Sequence, residues 1–175
     1  MLAIVVVGLA RSGKDTFANY LVEKYSFKKF DFFNDVIVPL MKKQGLEITK
    51  ANASTFGNEM RAKFGMGVFG EKMAELIKNH DKVVITGARS MEELTPIERQ
   101  ASRFYIVRIE APKETRFARR TELDADTQQE FFARDENDIK NKGLGEVLKA
   151  ANIVIVNNST LAEFYKAIDE LMEKI

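Results

Sequence analysis

Nine residues, Gly8-Leu9-Ala10-Arg11-Ser12-Gly13-Lys14-Asp15-Thr16, constrain this chain more than any other stretch. They follow an apolar run, Leu2 to Val7, that reads as a strand buried on both faces. They precede Phe17 to Lys24, where Phe17, Ala18, Leu21 and Val22 keep a helical period. Strand, glycine-rich turn and helix in that order are the context of a phosphate-binding loop. Gly8 and Gly13 let the backbone of Ala10, Arg11 and Ser12 curl so that N–H groups point at an anion. The helix start adds positive dipole, and Lys14 supplies a point charge for β- and γ-phosphates.

The residue after the lysine is Asp15, where the usual loop has a Ser or Thr that holds Mg²⁺. Thr16 comes one place later, as in adenylate-kinase-type loops, which points towards small-molecule kinases. A carboxylate beside polyphosphate needs a cation nearby. Asp15 is therefore expected to face Mg²⁺ or its waters, or to pair with a neighbouring Arg. The other reading is a helix-start Asp favoured by the dipole.

At 175 residues the chain is one domain of ordinary size. The formal charge of +1, from 27 basic and 26 acidic residues, leaves no electrostatic footprint for a nucleic-acid partner. With no cysteine there is neither a disulfide framework nor a thiolate metal site. The one histidine, His80, reads as part of a solvated helix end in Lys78-Asn79-His80-Asp81. No apolar run has the length of a membrane span, and the apolar start is too short for a signal peptide, so a cytoplasmic protein with no membrane partner is expected. Monomer and homodimer both stay open.

After the first helix, Lys28 to Phe33 reads as a short second strand with Asp31 and Asp35 flanking its end. Asp35 to Lys43 reads as a short helix with Pro39 early in it, stopped by Gly45. Ala51 to Lys63 and Val68 to Lys78 read as two more, so residues 34–79 form a helical insertion where a second substrate could be gripped. Lys82 to Thr86 is a buried strand ending in Gly87-Ala88-Arg89-Ser90; Met91 to Gln100 is a helix, Phe104 to Ile109 a strand. Residues 113–142 concentrate charge. Ile153 to Val156 is the last strand, followed by an amphipathic helix from Leu161 to Met172. Strands alternating with helices predict an open, mostly parallel α/β sheet with right-handed crossovers.

In such sheets ligands lie at the carboxyl ends of the strands. The loop at 8–16, Asp31 to Asp35, Gly87 to Ser90 and Asn157 to Thr160 all fall there. Arg89 could clamp an anion with its planar fork, or be a surface arginine after a turn. Arg116, Arg119 and Arg120 cover adjoining helical turns, opposed by Asp124, Asp126 and Glu130. They read either as a solvated, ion-paired helix or as a lid that brings arginines onto a transferring phosphoryl group.

The loop resembles those of nucleoside and deoxynucleoside monophosphate kinases. The rest is similar to archaeal adenylate-kinase-related ATPases, partly labelled dephospho-coenzyme A kinase-like. The likeness covers nearly the whole chain and rests further on Val83 to Ser90, Ala111 to Phe117, Phe132 to Glu136 and Ile155 to Thr160. It implies a three-layer P-loop kinase fold with a five-stranded parallel sheet, a helical acceptor-binding insertion at 34–79 and a lid at 113–142. Carried over, it implies that Gly8, Gly13, Lys14 and Thr16 hold the phosphates of ATP and Mg²⁺, and that Arg89 grips the acceptor phosphate. It assigns Arg116 and Arg120 to the lid, Arg134 to the phosphates, Asn157 to the adenine loop and Arg61 to the acceptor.

Two positions depart from that pattern. Related kinases have an Asp where this chain has Thr86, an acid that orients Mg²⁺ waters, so Asp15 or Asp35 would have to substitute. An Arg expected about three residues after Asp35 is replaced by Val38 and Pro39, so the acceptor site is not that of a standard adenylate kinase. The expected activity is transfer of the γ-phosphoryl of Mg-ATP to a small acceptor, a (deoxy)nucleoside monophosphate or dephospho-coenzyme A. A hydroxyl acceptor would use Asp31 or Asp35 as base; a phosphate acceptor needs none. The alternatives are a slow ATPase serving as a nucleotide-dependent switch, and a binding module that has lost catalysis. Asn141-Lys142-Gly143-Leu144 fails the pattern of a guanine-reading loop.

Overall fold

The computed structural model describes residues 1–122, 124–141 and 143–175. Leu123 and Lys142, both inside the segment expected as a lid, lie outside the described residues, and with Lys142 the test of residues 141–144 as a base-reading loop. The run Leu2–Val7 becomes β1, buried at every position. It is the middle of a five-stranded sheet in the order β2-β3-β1-β4-β5, formed by β2 (Lys28–Asp31), β3 (Lys82–Thr86), β4 (Arg103–Glu110) and β5 (Ile153–Val156). Every pairing is parallel, with Leu2 opposite Lys82 on one side and Arg103 on the other.

Because β1 alternates its side chains, it feeds two cores. Leu2, Ile4 and Val6 pack with Phe17 and Leu21 of α1 (Lys14–Tyr25) and Phe164 and Ile168 of α9 (Leu161–Met172). Ala3, Val5 and Val7 pack on the opposite face, which carries helices from residues 38–149. These are α2 (Val38–Lys43), α3 (Lys50–Phe64), α4 (Val68–Ile77), α5 (Met91–Gln100) and α8 (Leu144–Lys149); between β4 and α8 the chain also forms α6 (Lys113–Ala118) and α7 (Gln128–Asn141). The chain winds outward from β1 to β2, then outward the other way through β4 to β5. The crevice at the carboxyl end of β1 is thus the switch point of the sheet.

Two expectations change. The second strand stops at Asp31, and Phe32–Ile37 forms a π-helical turn instead of continuing the strand and opening the next helix. The cause is local capping: Asp31 Oδ1 accepts from Asn34 N at 2.9 Å, while Asp35 Oδ2 accepts from Asp31 N at 2.7 Å. Pro39 then sits in the first turn of α2, where its missing N–H costs nothing. His80 is half-buried, its ring edge-on to Phe30 at 5.3 Å, and is more than a solvated helix end. Among the described residues no helix is long and apolar enough to cross a membrane.

Candidate functional site

The loop between β1 and α1 is held by two close approaches that only glycine allows. A Cβ on Gly8 would come within 2.5 Å of Ser12 Oγ and 2.7 Å of the Ile109 carbonyl. Gly13 has φ 107°, and a Cβ there would overlap Asn157 Nδ2. That amide fixes the loop from behind: Asn157 Nδ2 donates to Ser12 O at 2.9 Å, and Asn157 N donates to Glu110 O at 2.7 Å. Asn157 is 7% exposed, and its side chain braces the loop. Arg11 adopts φ 60°, a conformation that costs a non-glycine residue about 1 kcal/mol.

A cavity of about 500 Å³ opens on the loop. Ala10, Arg11, Gly13, Lys14, Asp15 and Thr16 line it, joined by Arg119, Asp124 and Arg134 from the 113–142 segment. Four cationic side chains therefore face two carboxylates. Burial holds the Lys14 ammonium below the ordinary lysine range; Asp15 opposes this, while Arg134 and Arg11 add to it. Arg119 reaches Asn157 O and Oδ1 with Nη2, both at 3.3 Å, and its Nη1 is buried with no hydrogen-bond partner among the described residues. This guanidinium donor lines the same cavity as Lys14, and a buried donor of that kind is one that an anion can satisfy.

A smaller cavity of about 120 Å³ lies on the other side of Lys14, between the loop and Gly87-Ala88-Arg89. Lys14, Arg89 and Arg134 line it together with Asp138. A third, of about 390 Å³, runs behind the loop, with mainly apolar walls that include Leu9, Ile109, Pro112 and Leu148.

The residues expected at the site divide into three groups. Ala10, Arg11, Gly13, Lys14, Asp15, Thr16 and Arg134 meet in the main cavity, and Gly8, Lys14, Arg89 and Arg134 meet in the smaller one. Asp15 pairs with lysines rather than with an arginine, at 3.5 Å from Lys29 Nζ and 3.9 Å from Lys14 Nζ. Ser12 and Asn157 belong to the loop's underside. Arg116, Arg120, Asp35 and Arg61 go elsewhere.

Arg116 is 2% exposed and grips Asp135 bidentately, at 3.2 and 2.6 Å, while Nη1 also donates to Ala10 O at 3.1 Å. Its charge is already neutralised, and it ties α6 and α7 to the loop. Arg120 points outward, stacked at 4.1 Å over Phe117, because it lies one residue round the turn from Arg119. Asp35 caps Asp31 and lines none of the three cavities. Arg61 is paired with the buried Glu93 at 2.8 Å and stacked over Phe69, so its guanidinium is already engaged within the fold.

Glu93 spends its other oxygen on Arg89 N, at 2.9 Å, and so fixes the Gly87–Ser90 turn. In place of the missing acid at Thr86, the neighbouring strand supplies one: Thr86 Oγ1 donates to Asp31 Oδ2 at 2.8 Å. Asp31 also draws the Lys14 pKa upward, so its charge is felt at the loop. Asp15 lines the main cavity with Thr16, and Asp35 accepts from Asp31 N. Sequence reasoning had Arg119 and Asp124 inside a charged cluster without selecting either, and it passed over Glu93 and Asp138. The spacing of three between Arg116 and Arg119, which puts both on the face towards the loop, was the available signal.

A glycine-rich loop at the switch point of an all-parallel sheet, with arginines over it, defines the class: the chain has the fold of P-loop kinases. Solved structures agree on the fold. A shikimate kinase from Bacteroides thetaiotaomicron superposes with TM-score 0.61 at 13% identity, over 99% of this chain and 97% of that one. A shikimate kinase from Acinetobacter baumannii, in complex with shikimate, gives 0.57 at 18%, over 99% and 94%. The chain matches no protein-family model. A UPF0200 protein of Thermococcus onnurineus is 30% identical over 184 residues, covering 99% of this chain and 98% of the relative. The chain belongs to the UPF0200 family.

Proposed function

We propose that this protein is an ATP-dependent phosphotransferase that moves the γ-phosphoryl group of Mg-ATP to a small acceptor carrying a phosphate. The observation that carries the reading is the main cavity, where Lys14, Arg119 and Arg134 converge on the loop and the Arg119 Nη1 donor is buried without a partner among the described residues. The loop's backbone and the start of α1 would cradle the β- and γ-phosphates. Thr16 and Asp15, which line the cavity, with Asp31 beside Thr86, would hold Mg²⁺, which would supply charge neutralisation for the phosphates. In the transfer an acceptor oxygen bonds to the γ-phosphorus as the bridge to the β-phosphate breaks, and ADP leaves with the electron pair. Lys14 and the arginines stabilise the charge spread over the transferring group, and no protein nucleophile takes part.

The smaller cavity supports the acceptor class. Lys14, Arg89 and Arg134 meet there, as an anionic acceptor requires. Both carboxylates that could have served a hydroxyl acceptor as base are engaged: Asp31 with Asn34 and Thr86, Asp35 with Asp31 N. A (deoxy)nucleoside monophosphate fits this chemistry better than the hydroxyl of dephospho-coenzyme A. In this reading residues 34–79 form the acceptor side and 113–142 the lid. A second reading, a slow ATPase switch, is favoured by the ion pair that already joins Arg11 of the loop to Asp124.

The test is ADP release from Mg-ATP with a panel of nucleoside and deoxynucleoside monophosphates and dephospho-coenzyme A, with Lys14→Ala as control. Stimulation by a monophosphate, lost in the variant, is expected. Acceptor-independent turnover alone would move the conclusion to the switch.

A further inference from the structure

The main cavity already contains an anion of its own. Asp124 is 5% exposed there, and its carboxylate takes Arg11 Nε at 2.6 Å, Arg11 Nη2 at 2.5 Å, Thr121 N at 3.0 Å and Arg134 Nη1 at 3.4 Å. Two guanidinium groups and a backbone N–H are the donor set that a phosphate oxygen takes in such loops. Burial works against the charge, yet the Thr121 N–H and the Arg11 guanidinium keep the Asp124 carboxyl below the usual range, so it sits in the cavity ionised.

We propose that Asp124 is an internal stand-in for nucleotide phosphate, a latch that holds Arg11 and Arg134 over the loop and that an incoming polyphosphate must displace. The idea rests on the nucleotide-binding reading above. Arg11 spends its Nε–Nη2 edge on Asp124, with Nη2 donating also to Thr121 Oγ1 at 2.6 Å, so a phosphate that takes this edge must take it from the carboxylate. Displacement also follows from charge. A bound polyphosphate near an ionised carboxylate repels it, whereas Arg11 and Arg134 gain by exchanging one negative charge for several.

This makes the two halves of one ion pair act in opposite directions. With Asp124 neutralised, both arginines are released to the nucleotide and a repulsion is removed. With Arg11 neutralised, a phosphate donor is lost and the carboxylate stays. A pair that only held the fold together would give the same sign in both variants.

The experiment is titration of wild type, Asp124→Asn and Arg11→Gln with a fluorescent ATP analogue and Mg²⁺, at low and high salt, each protein first shown to be folded at the assay temperature by thermal unfolding. Asp124→Asn should bind about tenfold more tightly and associate faster, and Arg11→Gln about tenfold more weakly, for one partly screened charge each. The double variant should fall between them. Should both single variants weaken binding, or neither change it, the latch is overturned. If wild type binds no nucleotide at all, it is the nucleotide-binding reading that fails, a result distinct from binding with unmoved constants.

Discussion

Arg116–Asp135 and Arg11–Asp124 both join the 113–142 segment to the phosphate loop, and they differ in what surrounds them. In the first, both side chains are under 10% exposed, the contact is bidentate, and a loop carbonyl takes up a further donor. In the second, the carboxylate is buried but Arg11 is 33% exposed and faces the cavity where a phosphate would go. The first pair has no competitor and behaves as a joint. The second has one, and behaves as a contact that ligand chemistry can exchange. Burial, not charge, separates the closed pair at Arg116 from the pair at Arg11 that opens on the cavity.

The largest effect should come from breaking the joint. Removing one partner of a buried pair strands the other, at about 3–5 kcal/mol. For a chain of this size Arg116→Met should therefore lower the melting temperature by roughly 10 °C. Arg116→Met with Asp135→Leu should recover most of it, since well-packed apolar side chains replace a buried pair at little cost. Thermal unfolding of the three proteins checks this, and a single variant that melts with wild type would erase the distinction between joint and latch.

A smaller effect sharpens the contrast at the end of α6. Arg119→Ala should weaken nucleotide binding about tenfold, the worth of a charge-assisted contact, while Arg120→Ala should leave it within about twofold. Equilibrium titration separates the two, and a reversed order would mean that the helix presents the other arginine.

A pH titration probes the same cavity. Burial lowers the Lys14 pKa in the free protein, and a bound polyphosphate would raise it. Binding then takes up a proton, so affinity is full below the free-protein pKa and declines as pH rises through it. Lys14→Arg, which stays charged, should flatten that alkaline decline even if it binds less well; an unchanged slope would remove Lys14 as the cause.

The smallest effect lies at the acid end. The depressed Asp124 carboxyl contributes stability that is present above its ordinary value of 3.8 and is lost as pH falls through the lower folded value. Asp124→Asn should therefore differ from wild type in melting temperature near neutral pH and converge with it in strong acid. Divergence that grows on acidification would contradict the assignment.

Much of the fold could be read from the chain because its signals are local. Leu2–Val7 and Lys82–Thr86 announce buried strands by unbroken apolarity, and Thr160 with Glu163 forms the capping box that starts α9. The loop itself was legible for the same reason. Asp31 to Ile37 was not, since reciprocal capping between Asp31 and Asp35 overrode the aromatic strand pattern. Arg61 and Arg120 were read by charge and spacing, which do not say whether a carboxylate or an aromatic ring already waits for them.

By itself, then, the sequence determined where the phosphate loop lies, which strands are central, and that cations gather near residues 113–142. A backbone that must curl around an anion needs glycine and a following helix in direct succession, so the whole requirement is written in nine consecutive residues. Only the tertiary structure decided which cation does what. Arg116 and Asp135 are 19 residues apart, Arg61 and Glu93 are 32, and Arg11 and Asp124 are 113. Whether an arginine is neutralised or left facing a cavity depends on partners brought together across such distances, and short-range electrostatics in a buried site makes that difference decisive.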